Sequence, residues 1–192
     1  MSRSDERAGQ GAARPRLAAA LRRHGLARRP PSLRAVLQDL RETGGNRVEI
    51  HAAGRTALPA MLAAIGEARR FVHLETYILR GDATGRRFLA ALAERARAGV
   101  AVRVLYDAIG SIGELSEALV ADLRSAGGEL VAFQPPWRVL PRWTPRRRNH
   151  RKLLVVDGLV AFTGGLNIGD EYDAEPVDEP GRAGWRDTHL RL

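Results

Sequence analysis

From Asn46 onward the apolar positions switch repeatedly between a period of two and one near 3.6, the signatures of strands and helices in turn. Arg47–His51 alternates as a strand and Ala57–Arg69 as an amphipathic helix. Phe71–Leu79 (FVHLETYIL) is apolar enough for a buried strand, and Gly85–Ala98 is a helix that Gly99 ends. Val100–Tyr106 follows as a strand, Leu115–Ser125 as a helix closed by Gly127 and Gly128, and Glu129–Phe133 as a further strand. Strands separated by helices of this length favour parallel pairing with helices over the faces. The expected class is therefore α/β, a mixed, largely parallel β-sheet sandwiched by helices.

Residues 1–45 break from this pattern. They are rich in Arg, Ala, Gly and Pro, with Pro30-Pro31 as a breaker and few large apolar side chains. The reading is a basic, flexible tail ahead of a domain at 46–192. Leu17, Leu21 and His24 recur at helical spacing, so a short helix at 17–26 could present Arg22, Arg23, Arg28 and Arg29 to anionic lipid. A solvated extension explains the same residues.

The formal charge of +9 favours anionic partners, whether nucleic acid, phosphorylated metabolites or acidic lipid headgroups, without choosing among them. With no cysteine, disulfides and thiolate metal sites are excluded. Charged residues interrupt every long apolar run, so no membrane span is expected and any membrane contact is peripheral. The first residues, MSRSDERAGQGAARPR, lack the apolar segment of a secretory signal, which makes a cytoplasmic protein the expectation.

Chemistry concentrates after a proline-broken loop at 134–147. The run from His150 to Asn167 reads as strand, Asp157-Gly158 turn, strand and glycine turn. Alternation along a strand puts His150 and Lys152 on one face. Lys152 is the only lysine, so every other member of the 31 basic residues is arginine. An ammonium is a compact charge that fits beside one phosphoryl oxygen, where a guanidinium is a wider planar fork.

The order HxK(x)4D(x)6GGxN, met here at His150, Lys152, Asp157, Gly164, Gly165 and Asn167, resembles the signature of the phospholipase D superfamily. Leu74–Ile78, Leu105–Asp107 followed by Gly110-Ser111, and Trp185–Asp187 are similar to stretches of bacterial cardiolipin synthases, so the resemblance covers about 46–192. It implies one phospholipase D-type lobe in which His150 attacks a phosphodiester to form a phosphohistidine, with no metal or cofactor. Lys152 would stabilise the phosphoryl charge, helped by Asn167 and the amides near Gly164 and Gly165. Asp187 is the candidate that orients the imidazole. Asp157 is either part of the catalytic motif or an ordinary turn residue. The superfamily site takes two such motifs, so a second lobe is expected from a longer chain, of which this would be the N-terminal part, or from a homodimer partner.

Other polar residues are weighed one by one. Glu75 lies within an apolar strand and must be paired or face the site. Asp107 either caps the following helix or lines the mouth of the site, and Gly110 and Ser111 read as turn residues. His24, His51, His73 and His189 are assigned no role. Arg138, Arg142, Arg146, Arg147, Arg148 and Arg151, interleaved with Trp137 and Trp143, read as a funnel for anionic phospholipid at a membrane surface or as a solvated basic loop, and they would also suit single-stranded nucleic acid. The functional expectation is phosphatidyl transfer of the cardiolipin synthase type. Hydrolysis of phospholipid or nucleic acid, and a non-catalytic lipid-binding lobe, are the alternatives.

Overall fold

Backbone contacts divide the chain into Met1–Gly45 and Asn46–Leu192. The computed structural model describes residues 45–135, 147–173, 185 and 187–192. The expected basic tail, its helix at 17–26 and most of the arginine- and tryptophan-rich loop lie outside these residues.

Seven strands form one sheet in the order β1-β7-β6-β5-β2-β3-β4. In chain order the elements are β1 (Glu49–His51), α1 (Gly54–Glu67), β2 (Phe71–Thr76), α2 (Ala83–Arg97), β3 (Ala101–Asp107), α3 (Glu117–Ser125) and β4 (Glu129–Phe133). They continue with β5 (Leu153–Val156), β6 (Val160–Gly164), the short α4 (Asp170–Asp173) and β7 (His189–Arg191). Local sequence accounts for the helix starts. Asp82 caps α2 by accepting from the Gly85 N–H at 2.9 Å, and Ser116 caps α3 by accepting from Leu119 at 3.3 Å.

The sheet is mixed, as expected, but its balance differs from the expectation of largely parallel pairing. Only β2–β3 and β3–β4 run parallel, each linked by a helix. The four pairings β1–β7, β7–β6, β6–β5 and β5–β2 are antiparallel. After β4 the chain returns as β5 on the far side of β2 and continues through a tight hairpin. β7, at the end of the chain, fits between β6 and β1.

The expectation of helices on both faces is also corrected. Val72, Leu74, Val102, Val104, Leu130, Leu154, Val156 and Phe162 share the face that packs on Leu58, Ile65, Phe88, Leu92, Val120 and Leu123 of the helices. The opposite face carries His73, Glu75, Arg103, Leu105, Glu129 and Val131, and no described helix covers it. Charged residues alternating with the apolar ones along β3 and β4 are what a one-sided sheet requires.

Asp157 fixes the register of the central antiparallel pair. It sits at the β5–β6 turn with φ of 56°, followed by Gly158 at 74°, and Leu159 N–H donates to Val156 O at 3.0 Å. Its carboxylate accepts from the N–H groups of Arg69 (2.9 Å), Arg70 (2.8 Å) and Phe71 (2.9 Å), where the chain enters β2. Its own N–H donates to Phe71 O at 3.0 Å. The amides of Phe71 and Arg69, and then of Arg70, hold this carboxyl below the ordinary aspartate value. Asp157→Ala should therefore lower the melting temperature by at least about 3 °C, read by thermal denaturation near neutral pH. The deficit should shrink as the pH falls through the depressed carboxyl pKa, where the wild-type group loses its charge too.

Candidate active site

Three chain segments converge where β2 ends and β5 begins. The segment Arg148–Lys152 belongs to no strand, since β5 starts at Leu153, one residue beyond Lys152. Even so, it brings His150 and Lys152 together as the alternation pattern requires. Lys152 Nζ stands 3.3 Å from His150 Nδ1, 3.5 Å from Nε2 and 3.2 Å from the His150 carbonyl oxygen. The imidazole belongs to an exposed residue, whereas Lys152 is buried. Burial pulls the ammonium below the ordinary lysine value, and the Asp187 carboxylate partly opposes that shift.

Asp107 and Glu75 hold this segment from beneath. Asp107 is fully buried at the end of β3. Its Oδ1 accepts from the N–H groups of Ile109 (2.9 Å) and Gly110 (3.2 Å) and from Arg148 Nη1 (3.2 Å), and its Oδ2 accepts from the Asn149 N–H (2.8 Å). Asp107 neither caps the following helix, which starts at Glu117, nor lines the mouth, since it has no exposure; its carboxylate closes the turn after β3 and ties Arg148 and Asn149 to it. Glu75 Oε2 accepts from Asn149 Nδ2 at 3.2 Å and lies 3.7 Å from Arg151 Nη1. Glu75 is thus paired, and it supports the residues on either side of His150.

The glycine turn after β6 closes the other side. A Cβ on Gly165 would fall on the Asp187 carboxylate, and one on Gly164 would meet Thr188 O and His189. These two positions must be glycine for the Asp187–His189 segment to lie against them. Of the amides near Gly164 and Gly165 expected to help bind the phosphoryl group, that of Gly165 is used within the fold, donating to Thr188 O at 3.0 Å. Asn167 is likewise committed internally. Its Oδ1 accepts from Ile78 N–H at 3.1 Å and its Nδ2 donates to Tyr172 Oη at 2.7 Å.

Two further calls change in position or role. Asp157 lies at the far end of β5, roughly 16 Å from Lys152 at strand rise, so it anchors the fold and does not join the reacting groups. Asp187 approaches the site over Gly165 and faces Lys152 electrostatically. Its Oδ1 accepts from Thr188 N–H at 2.8 Å, and no hydrogen bond among the described residues joins it to His150. The atom beside both imidazole nitrogens is instead Lys152 Nζ.

Several participants escape sequence reasoning. Arg148 and Asn149 look like the end of a basic loop, and their partner Asp107 lies about forty residues away in the chain. Ser111, expected to be a turn residue, accepts from Leu79 N–H at 2.9 Å and donates to Tyr77 O at 3.4 Å, which ties the end of β2 in place. His189, assigned no role, is fully buried beneath the site, and neither ring nitrogen has a hydrogen-bond partner among the described residues. Burial, first of all, lowers its pKa to about 4, helped by His51 and opposed by Asp187.

Comparison with known proteins places this geometry. A family profile described as cardiolipin synthase, PLD-like domain, matches residues 61–172. The chain is 39% identical over 150 residues to the major cardiolipin synthase ClsA of Bacillus subtilis, covering 78% of this chain and 30% of that protein. It is 44% identical over 140 residues to a cardiolipin synthase of Geobacillus kaustophilus, covering 72% of this chain and 27% of that one. The chain thus spans under a third of the length of these relatives. Among solved structures, phosphatidylserine synthase from Haemophilus influenzae shares the fold with a TM-score of 0.55 at 14% identity, over 76% of this chain and 32% of that one.

His189 yields a pH prediction. In the fold it stays neutral down to about pH 4, whereas once unfolded it takes a proton near 6.5. Between these values the unfolded state binds the extra proton, so the folded state loses stability as pH falls, by on the order of 3 kcal/mol in total. Denaturant titrations at pH 7 and pH 4.5 should show a smaller loss in His189→Leu than in the wild type. An equal loss in both would assign the acid sensitivity to other groups.

Proposed function

Because the chain belongs to the cardiolipin synthase family with a phospholipase D-like domain, we propose that it is one catalytic lobe of a phosphatidyltransferase working through a phosphohistidine. The observation that carries this reading is the contact of Lys152 Nζ with His150, a cation held within 3.5 Å of both nitrogens of an exposed imidazole. That is a nucleophile paired with the charge a phosphoryl group needs.

The first step is an in-line displacement. A lone pair on a ring nitrogen of His150 attacks the phosphorus of a phospholipid phosphodiester, the bond from phosphorus to the departing alcohol oxygen breaks, and that oxygen takes a proton from an acid. In the superfamily arrangement this acid is the histidine of a second motif, supplied by another lobe of a longer chain or by a partner copy. An acceptor lipid hydroxyl then attacks the phosphohistidine, the P–N bond breaks, and the hydroxyl proton passes to the same histidine. Lys152 stays beside the phosphoryl oxygens throughout, so their charge always has a partner.

Role by role, the proposal keeps His150 as nucleophile and Lys152 as phosphate ligand. Asp107 and Glu75 position the segment between them. Asn167, Gly164 and Gly165 shape the wall, and Asp187 supplies the negative field beside Lys152. Substrates would be anionic phospholipids met at a membrane surface. Among the described residues no helix is long and apolar enough to cross a membrane, and the proposed association is peripheral, at the cytoplasmic face.

Two substitutions test this in the assembled enzyme. His150→Ala should abolish transfer, and wild-type enzyme denatured under alkaline conditions after exposure to phospholipid labelled in its phosphate should carry the label on His150. Turnover in the mutant, or label on another residue, would reject the mechanism. Lys152→Arg keeps the charge but misplaces it, and should lower turnover by at least about tenfold, or roughly 1.4 kcal/mol in the barrier. Near-normal rates would show that any positive charge at that point suffices.

A further inference from the structure

The His150 imidazole poses a problem of orientation. It is exposed, and among the described residues it has no hydrogen bond to Asp187 or to any other carboxylate. What touches it, besides Lys152, is the ring of Tyr77, with centroids 4.5 Å apart and planes at 46°. The same ring lies 5.3 Å from Lys152 Nζ, measured to its centroid. One aromatic ring therefore meets both members of the reacting pair.

Tyr77 is placed there by a fixed backbone. β2 ends at Thr76, one residue before Tyr77, so Tyr77 lies outside the paired strand. Thr76 Oγ1 donates to Ile78 O at 2.8 Å across the bend. Ile78 N–H donates to Asn167, Leu79 N–H donates to Ser111, and Tyr77 O accepts from Ser111. A parallel bridge between Leu79 and Ile168 completes the clamp. Four residues from Thr76 to Leu79 are thus pinned by five interactions, and the Tyr77 ring projects from the middle of them.

We propose that Tyr77 is a positioning residue for the transfer reaction: its ring sets the pitch of the His150 imidazole and holds the Lys152 ammonium beside it. The proposal rests on the phosphohistidine reading above. The physical basis is the aromatic quadrupole. Its negative face attracts the ammonium of Lys152, and the offset contact with imidazole restricts rotation about the His150 side-chain bonds. Neither effect uses the phenolic hydroxyl. When the phosphoryl group is on His150 the imidazole carries positive charge, and the same face attracts it in the intermediate as well. A group that orients the nucleophile acts on the chemical step more than on lipid binding, because a misdirected lone pair leaves the substrate bound but out of line.

The test compares Tyr77→Phe with Tyr77→Leu in the assembled enzyme, with phosphatidylglycerol vesicles as substrate. Tyr77→Phe should keep turnover within about twofold of wild type. Tyr77→Leu should lose at least about tenfold in kcat with KM within about twofold, and its yield of phosphate-labelled His150 after rapid mixing should fall in parallel. In proton NMR of this chain, the His150 ring signals should show an upfield displacement that Tyr77→Phe retains and Tyr77→Leu loses, with the other signals serving as the control for folding. If Tyr77→Leu does not fold, Tyr77→Met fills similar space without an aromatic face and is read in its place. Normal kcat in the leucine variant overturns the proposal, as does a phenylalanine variant as impaired as leucine, which would place the function in the hydroxyl. If wild-type enzyme never carries label on His150, the phosphohistidine reading fails instead, and the NMR comparison still decides whether Tyr77 orients the ring.

Discussion

The site depends on one buried carboxylate. Asp107 has no exposure to solvent and takes four donors, two from the turn that follows it and two from Arg148 and Asn149. A carboxylate without those donors would be costly at that depth, and Arg148, whose side chain is 15% exposed, would be left as an uncompensated charge. The pair is therefore worth less as a source of stability than as a constraint. It allows one position for the backbone at Asn149, and His150 is the next residue.

The other end of the same strand is fixed with equal economy. Asp157 and His150 belong to one motif, yet they stand at opposite ends of the segment that crosses the sheet beside β2. Asp157 locks β5 to the first residue of β2 through three backbone amides. The register then runs residue by residue, Val72 with Val156, Leu74 with Leu154 and Glu75 with Leu153. A slip of one residue would turn Leu154 and Val156 out of the core, and it would also move Lys152 to the wrong face. The spacing between Lys152 and Asp157 is a length of strand, and Asp157 sets where that strand lies.

This division explains what could be read from the sequence and what could not. Period and turn residues revealed the strands of the central sheet and the three long helices, because each is decided by neighbours within a few positions. Elements ended earlier or later than expected where tertiary contacts intervened. β2 stops at Thr76 because Ser111 and Asn167 take the next amides, a competition invisible in the run FVHLETYIL. The predominance of antiparallel pairing was hidden because the period of a strand does not say beside which strand, or in which direction, it adds to the sheet. At the site, His150 and Lys152 were legible because their pairing is local. Asn167 and Gly165 carry the motif faithfully, but their polar groups serve the fold, and nothing in residue type distinguishes a donor aimed at substrate from one aimed at Ile78 or Thr188. Tyr77 lay within a segment whose resemblance was evident, while its contact with His150 is a property of two distant segments brought together.

The electrostatic state of Lys152 connects these constraints to the chemistry. Its ammonium is buried, and no carboxylate among the described residues comes within ion-pair distance of it. Asp187 acts on it only through the field, and burial outweighs that field. Such a charge is under-compensated, and its nearest neighbours are an imidazole, a carbonyl oxygen and an aromatic face, each able to supply only partial negative charge. On the proposed reading, a phosphodiester would bring the full negative charge that is missing, and Nζ would turn from the imidazole toward a phosphoryl oxygen. A glutamate or aspartate closed directly on Lys152 would stabilise the resting lobe, but it would also compete with substrate for the same cation. Under the proposed function, the incomplete pairing of Lys152 leaves its charge open to an anion that carries its own electrophile.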